Sequence, residues 1–190
     1  MEEVVVIVHL LAAMVWVGGS VALVFAGVPA IRTLEGEPRG RAMRALVVDA
    51  EQRVLLMRFE NPANDDVWWA TPGGGVEGAE SDETALRREL LEEAGLRDPE
   101  IGPVVWVREH VLPWDRQLWR QRERFHLVRV GSLEATPTID LVAEHVYGHR
   151  WWTLAELEAT DQQLAPRALA THLRALLRDG PPSEPVDVSH

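Results

Sequence analysis

The sequence predicts an α/β chain of the α+β kind: a mixed sheet covered by helices, with one apolar helix ahead of it. Three observations carry that prediction. An uncharged run of 28 residues opens the chain, short β-prone runs alternate with helical patterns from about residue 41 onward, and a glycine cluster leads straight into an acid-rich helical pattern. Strands interleaved with helices are what a sheet needs if its faces are to be covered.

The apolar run comes first. Val4 to Ile31 contains no Asp, Glu, Lys or Arg, and a helix of that length, at about 1.5 Å per residue, exceeds a hydrocarbon core of roughly 30 Å. Arg32, Arg39, Arg41 and Arg44 follow it, so the tendency of basic flanks to stay inside puts the rest of the chain in the cytoplasm. Residues 1–34 are therefore read as a transmembrane helix that anchors a cytoplasmic domain. The alternatives are a buried helix of the domain or an extension without function. A signal peptide needs a basic start and a shorter apolar stretch. The wording from His9 to Gly19, followed by Pro29 and Ala30, resembles the first helix of copper-resistance D-type membrane proteins. His9 has no partner ligands in this run and is not taken as a metal site.

Residues 35–40 read as a linker, and residues 41–179 as the folded domain. Ala42 to Val48 and Val54 to Phe59 are β-prone runs separated by a five-residue turn, the signature of a hairpin. Residues 61–66 form a loop, and Val67 to Ala70 a short strand ending before Pro72 and a tight Gly73-Gly74-Gly75 turn. Ser81 caps a helix with Asp82 and Glu83 in its first turn, and Gly95 ends it. Val104 to Val111 and Phe125 to Val130 are further strands with a polar connection between them. Thr153 caps a short helix, Leu154 to Ala159, and Pro166 to Arg178 is a closing helix. Gly180 to His190, rich in proline and acid, is predicted to be a disordered tail.

Composition narrows the partners. The 190 residues carry 30 acids against 19 bases, a net charge of -11, whereas a general nucleic-acid binder presents a basic surface. A long nucleic acid is not expected; a small phosphorylated molecule is, because a divalent metal can bring positive charge locally. With no cysteine, thiol nucleophiles, disulfides and zinc-thiolate sites are excluded.

The chemistry concentrates between Gly74 and Leu96. Glu89, Glu92 and Glu93 stand at i, i+3 and i+4, so one helix face carries three carboxylates. Such a face is often merely solvated. Here a glycine cluster precedes it, Arg88 adjoins it with Glu80 as a pairing acid, and Leu86, Leu90 and Ala94 set an apolar strip beside it. Hard cations such as Mg²⁺ take oxygen ligands of this kind.

The spacing resembles the Nudix box, with Gly74, Glu80, Arg88, Glu89, Leu90, Glu92, Glu93, Gly95 and Leu96 at the matching positions. The wider likeness covers about residues 41–178. The resemblance implies an α/β/α sandwich and a pyrophosphohydrolase acting on a nucleoside diphosphate linked to another group, such as ADP-ribose, a dinucleoside polyphosphate or a nucleoside triphosphate. It implies that Glu92 and Glu93 bind Mg²⁺, or Mn²⁺ in its place, with Glu89 as ligand or base. Arg88 orients the acids through Glu80, and the carbonyl of Gly73 or Gly74 joins the metal. The family also uses a carboxylate outside the box, for which Glu123 is the candidate and Glu109 and Glu144 compete. Trp69 is the candidate for stacking on a base, ahead of Trp68, Trp114, Trp119 and Tyr147, and Arg58 is the second candidate substrate contact. The rival reading is a Nudix-fold sensor that binds a nucleotide without cutting it; such a protein is expected to lose box acids, and this sequence keeps them.

Overall fold

The computed structural model describes residues 16–17, 20–21, 40–60, 66–114, 117–144 and 146–189. In the apolar N-terminal segment these are β1 (Trp16–Val17) and β2 (Ser20–Val21), an antiparallel pair. The rest of the expected helix, and most of its linker, lie outside the described residues. No described helix is long and apolar enough to cross a membrane.

The domain is built on one sheet. Its strands are β3 (Gly40–Val48), β4 (Val54–Glu60), β5 (Val67–Ala70), β6 (Gly73–Gly75), β7 (Val104–Trp114), β8 (Gln117–Arg129), β9 (Val146–Trp152), β10 (Gln163–Ala165) and β11 (Val186–Asp187). The order along the sheet is β10-β5-β4-β3-β8-β7-β11, with β6 pairing β3 and β9 pairing β4. β3 runs parallel to β8 from Gly40↔Gln121 to Val48↔Arg129, and antiparallel to β4 only at the hairpin end, Val48↔Val54. β6 pairs β3 antiparallel at Ala42, Met43 and Arg44, on the length of β3 that β4 leaves open.

Helices cover both faces. On one face α1 (Asp82–Ala94) lays Ala85, Leu86, Leu90 and Ala94 on Met43, Ala45 and Val47 of β3. On the other, α2 (Leu154–Ala159) and α3 (Leu169–Asp179) pack on Leu46, Val48, Trp106 and Phe125. Alternation along β3 sends successive side chains to opposite layers. In α3 the buried residues Leu169, Leu173 and Leu176 recur at helical spacing, and burying each contributes roughly 1.5–3 kcal/mol. The result is the expected α/β/α sandwich.

Several elements depart from the sequence reading. The glycine turn is a strand, β6, since its main chain completes pairing that β3 offers. The connection after β7 is not a loop: β7 and β8 form one long hairpin paired from Val104↔His126 to Trp114↔Gln117. The closing helix starts at Leu169, and the residues before it give β10, parallel to β5. The tail is not disordered either. β11 pairs parallel with β7, the Val188 N–H donates to the Val107 carbonyl at 2.8 Å, and the Val188 side chain is buried in the core.

Candidate active site

Helix α1 carries the site because its inward face is mixed. Ser81 accepts a hydrogen bond from the Thr84 N–H at 3.1 Å and Gly95 closes the helix in a left-handed conformation, which fixes its start and end. Within those bounds Glu89 and Glu93 share the buried face with Leu86, Leu90 and Ala94, at only 2% and 4% exposure. A buried carboxylate is costly unless it finds donors or cations.

Arg88 supplies much of that compensation. Its Nη1 donates to Glu89 Oε1 at 2.8 Å and to Glu92 Oε2 at 3.2 Å. Its Nη2 donates to Glu80 Oε1 at 2.9 Å and to the Gly75 carbonyl at 3.0 Å, while Nε faces Glu80 Oε2 at 3.5 Å. The hydrogen bond from Arg88 holds the Glu80 carboxyl below its ordinary range. Glu89 moves the other way. Burial pushes it up to about 7, against the opposing pull of the charges on Arg88 and Arg44.

The glycine strand packs directly on these acids. The Gly73 N–H donates to Glu93 Oε2 at 2.7 Å. A Cβ at Gly74 would stand 2.4 Å from Glu89 Oε1, so any larger residue there would displace that carboxylate.

A second polar group lies across the sheet from β6. Glu123 on β8 is 0% exposed, yet Oε1 accepts from Arg44 Nε at 3.1 Å and Oε2 from Arg108 Nε at 2.5 Å. Burial alone would raise this carboxyl, but Arg44 and Arg108, with His110 nearby, hold it down at about 2. Arg44 also donates through Nη1 to the Gly73 carbonyl. His110 Nε2 lies 2.9 Å from Gln121 Oε1, and burial lowers this imidazole below its ordinary range. Sequence reasoning passed over Arg44 as a site residue. The available signal was a lone charge inside the apolar run Ala42 to Val48, which a buried strand tolerates only with a partner.

Glycine strand β6 thus lies against a helix whose carboxylates are bridged by Arg88. The family model described as the NUDIX domain matches residues 38–173. The chain belongs to the Nudix family. It is 32% identical over 99 residues to the RNA pyrophosphohydrolase of Roseobacter denitrificans, with 46% of this chain and 60% of that protein covered, so it spans less than two thirds of that relative. Among solved structures, the NUDIX domain of Shewanella oneidensis NrtR complexed with ADP ribose superposes with a TM-score of 0.56 at 19% identity, covering 75% of this chain and 90% of that one. The MutT protein of Methanosarcina mazei Go1 gives 0.54 at 19% identity, with 77% and 98% covered. At such identities these two likenesses establish the Nudix fold alone.

Nudix proteins generally use divalent metals, and the donors here fit such an ion in kind. Glu89, Glu92 and Glu93 are hard oxygen donors on one helix, and Glu89 and Glu92 already share a cationic nitrogen, Arg88 Nη1. Among the described residues no three His, Asp or Glu side chains gather closely enough to hold a metal as they stand.

The remaining candidates make contacts of their own. Trp69 is 7% exposed, donates from Nε1 to Gln162 and meets Trp152 edge-on with ring centroids 5.1 Å apart, so its ring belongs to the core. Trp68 stacks on Phe59 at 5.5 Å, and Arg58 pairs with Glu60. Glu109 faces Arg120 and Arg122 at 3.5 and 3.4 Å. Tyr147 is exposed. The side chains of Trp114, Trp119 and Glu144 lie outside those described.

Proposed function

We propose that this Nudix domain is a metal-dependent pyrophosphohydrolase that cuts a phosphoanhydride bond in a nucleoside diphosphate joined to a second group. Water is the nucleophile, and the products are a nucleoside monophosphate and the phosphorylated second group. The observation that carries the reading is the convergence of Glu89 and Glu92 on one cationic nitrogen, with Glu93 buried against the glycine strand on the same helix.

Glu92, Glu93 and Glu89 would hold Mg²⁺, with Mn²⁺ as a substitute and the Gly74 carbonyl as a main-chain ligand. A divalent ion held there would neutralise phosphate oxygens and make water easier to deprotonate. Arg88, tied to Glu80 and the Gly75 carbonyl, orients the acids. Glu89 is proposed as a metal ligand or as the base for the attacking water. Its Oε1 is held by Arg88, which leaves Oε2 to take a proton from the attacking water.

ADP-ribose, dinucleoside polyphosphates and nucleoside triphosphates are the substrates proposed. The likeness to an RNA pyrophosphohydrolase adds RNA to the set, although a net charge of -11 disfavours a long polyanion. The rival reading is a nucleotide sensor, to which the intact set of box acids is opposed.

The test is a substrate panel with the full chain in Mg²⁺ and in EDTA, beside Glu93→Gln. Mg²⁺-dependent release of a nucleoside monophosphate is expected, with turnover lost in EDTA and reduced by orders of magnitude in the variant. Nucleotide binding without turnover would favour the sensor. Equal turnover under all conditions would overturn the site.

A further inference from the structure

Resting on the reading of Glu93 as a metal-binding acid, we infer that Glu123 is a positioning residue, which sets the Glu93 carboxylate through Arg44 and Gly73. The contacts are continuous. Glu123 Oε1 accepts from Arg44 Nε at 3.1 Å, Arg44 Nη1 donates to the Gly73 carbonyl, and the Gly73 N–H donates to Glu93 Oε2 at 2.7 Å. The path crosses from β8 through β3 to β6 and ends on α1.

The two ends of this path have different chemistry. Glu123 is fully buried with one guanidinium on each carboxylate oxygen, so it is badly placed to receive a proton or a metal. With its carboxyl held at about 2, it stays ionised wherever the protein works and cannot serve as a base near neutral pH. A permanent charge of this kind suits an anchor. Glu93, at the other end, is aimed by a main-chain N–H whose position depends on where β6 lies.

β6 needs that anchor. It has three residues, all glycine, and so no side chain of its own to fix it. It is held by its pairing with Ala42, Met43 and Arg44, by Arg44 on its first carbonyl and by Arg88 on its last. Arg44 reaches Gly73 and Glu123 with different nitrogens of one planar fork, a span that a lysine ammonium cannot reproduce. Arg108 takes the second oxygen of Glu123 and leaves Arg44 the first. Groups that hydrogen-bond a metal ligand directly change metal affinity by about 10–100-fold when removed, and Glu123 and Arg44, acting through Gly73, are expected at the low end of that range.

The experiment uses the full chain as wild type, Glu123→Gln, Arg44→Lys and the double variant. Mn²⁺ binding is followed by electron paramagnetic resonance, and thermal unfolding and Mg²⁺-dependent hydrolysis are measured across pH. The expected result is a loss of about tenfold in Mn²⁺ affinity in each single variant, with little further loss in the double. The kcat falls in step, while the substrate KM and the shape of the pH profile are unchanged. Unaltered Mn²⁺ affinity and kcat in variants that merely melt earlier would overturn the inference, leaving Glu123 a structural residue. A kcat lowered by three or more orders of magnitude, with one limb of the pH profile gone, would also overturn it by making Glu123 a reacting group. If Glu123→Gln does not fold, Arg44→Lys, which keeps a cation beside the buried carboxylate, gives the same readout. Wild type that binds Mn²⁺ but hydrolyses nothing refutes the catalytic reading and leaves the relay to the Mn²⁺ data; wild type that binds no Mn²⁺ refutes both.

Discussion

Glu89 should destabilise the metal-free protein, and replacing it with glutamine should raise the melting temperature. In the folded chain its carboxyl titrates at about 7 against an ordinary 4.5. Below 4.5 the group is protonated in both folded and unfolded chains and contributes nothing. Between 4.5 and 7 the folded chain binds the extra proton, so stability falls as pH rises. Above 7 the whole difference is spent, which at 1.36 kcal/mol per pKa unit is about 3 kcal/mol. Glutamine matches the neutral acid in shape and cannot ionise. In EDTA at pH 8, Glu89→Gln should therefore melt roughly 6–12 °C above wild type, given about 2–4 °C per kcal/mol for a chain of this size. At pH 4 the two should coincide. Adding Mg²⁺ should narrow the gap from the wild-type side, as bound metal stabilises only the chain that binds it. Calorimetry at three pH values decides the matter. A variant that melts with or below wild type at pH 8 in EDTA refutes the argument that burial of Glu89 is a cost the metal relieves.

Three further outcomes are expected. Arg88→Ala should lower both melting temperature and turnover, and Arg88→Lys should recover only part of each, because an ammonium cannot span Glu80, Gly75 and Glu89 together; a fully active, fully stable lysine variant would make that network unimportant. Glu123 has the opposite pH signature to Glu89: its stabilisation is complete above 4.5 and disappears as pH falls towards about 2, and Glu123→Gln should flatten the acid limb of an unfolding curve by about 3 kcal/mol. A chain beginning at Gly36 should be soluble and as active per molecule as the full chain, which should partition into detergent if residues 4–31 form a membrane anchor; aggregation of the shorter chain, with the longer one soluble unaided, would make that run part of the core.

How much of this was legible in the sequence depended on where the determining forces lie. Helix α1 could be read because its signals are local: Ser81 and Gly95 bracket it, and its acids and leucines recur at helical spacing. The same holds for α2, where Thr153 and Glu156 complete a reciprocal cap. β6 could not be read, since three glycines have little strand preference and pair only because β3 has an open edge. The long hairpin of β7 and β8 was hidden for another reason. From Arg120 to Arg124 it is polar, and pairs such as Arg108 with Glu123 and Glu109 with Arg122 join the strands without an apolar alternation. The partners of Glu123 were illegible too, since Arg44 is 79 residues away in sequence.

The C-terminal segment has a bearing on solubility. Where β11 lies along β7, at Trp106 and Val107, it takes up main-chain groups that a bare margin of the sheet would offer to any passing strand. Val188, seated in the core just beyond it, pegs this cover in place with its side chain. The last residues of the chain thus work as a short selvedge, stitched over β7 at Trp106 and Val107 while β11 becomes the new margin.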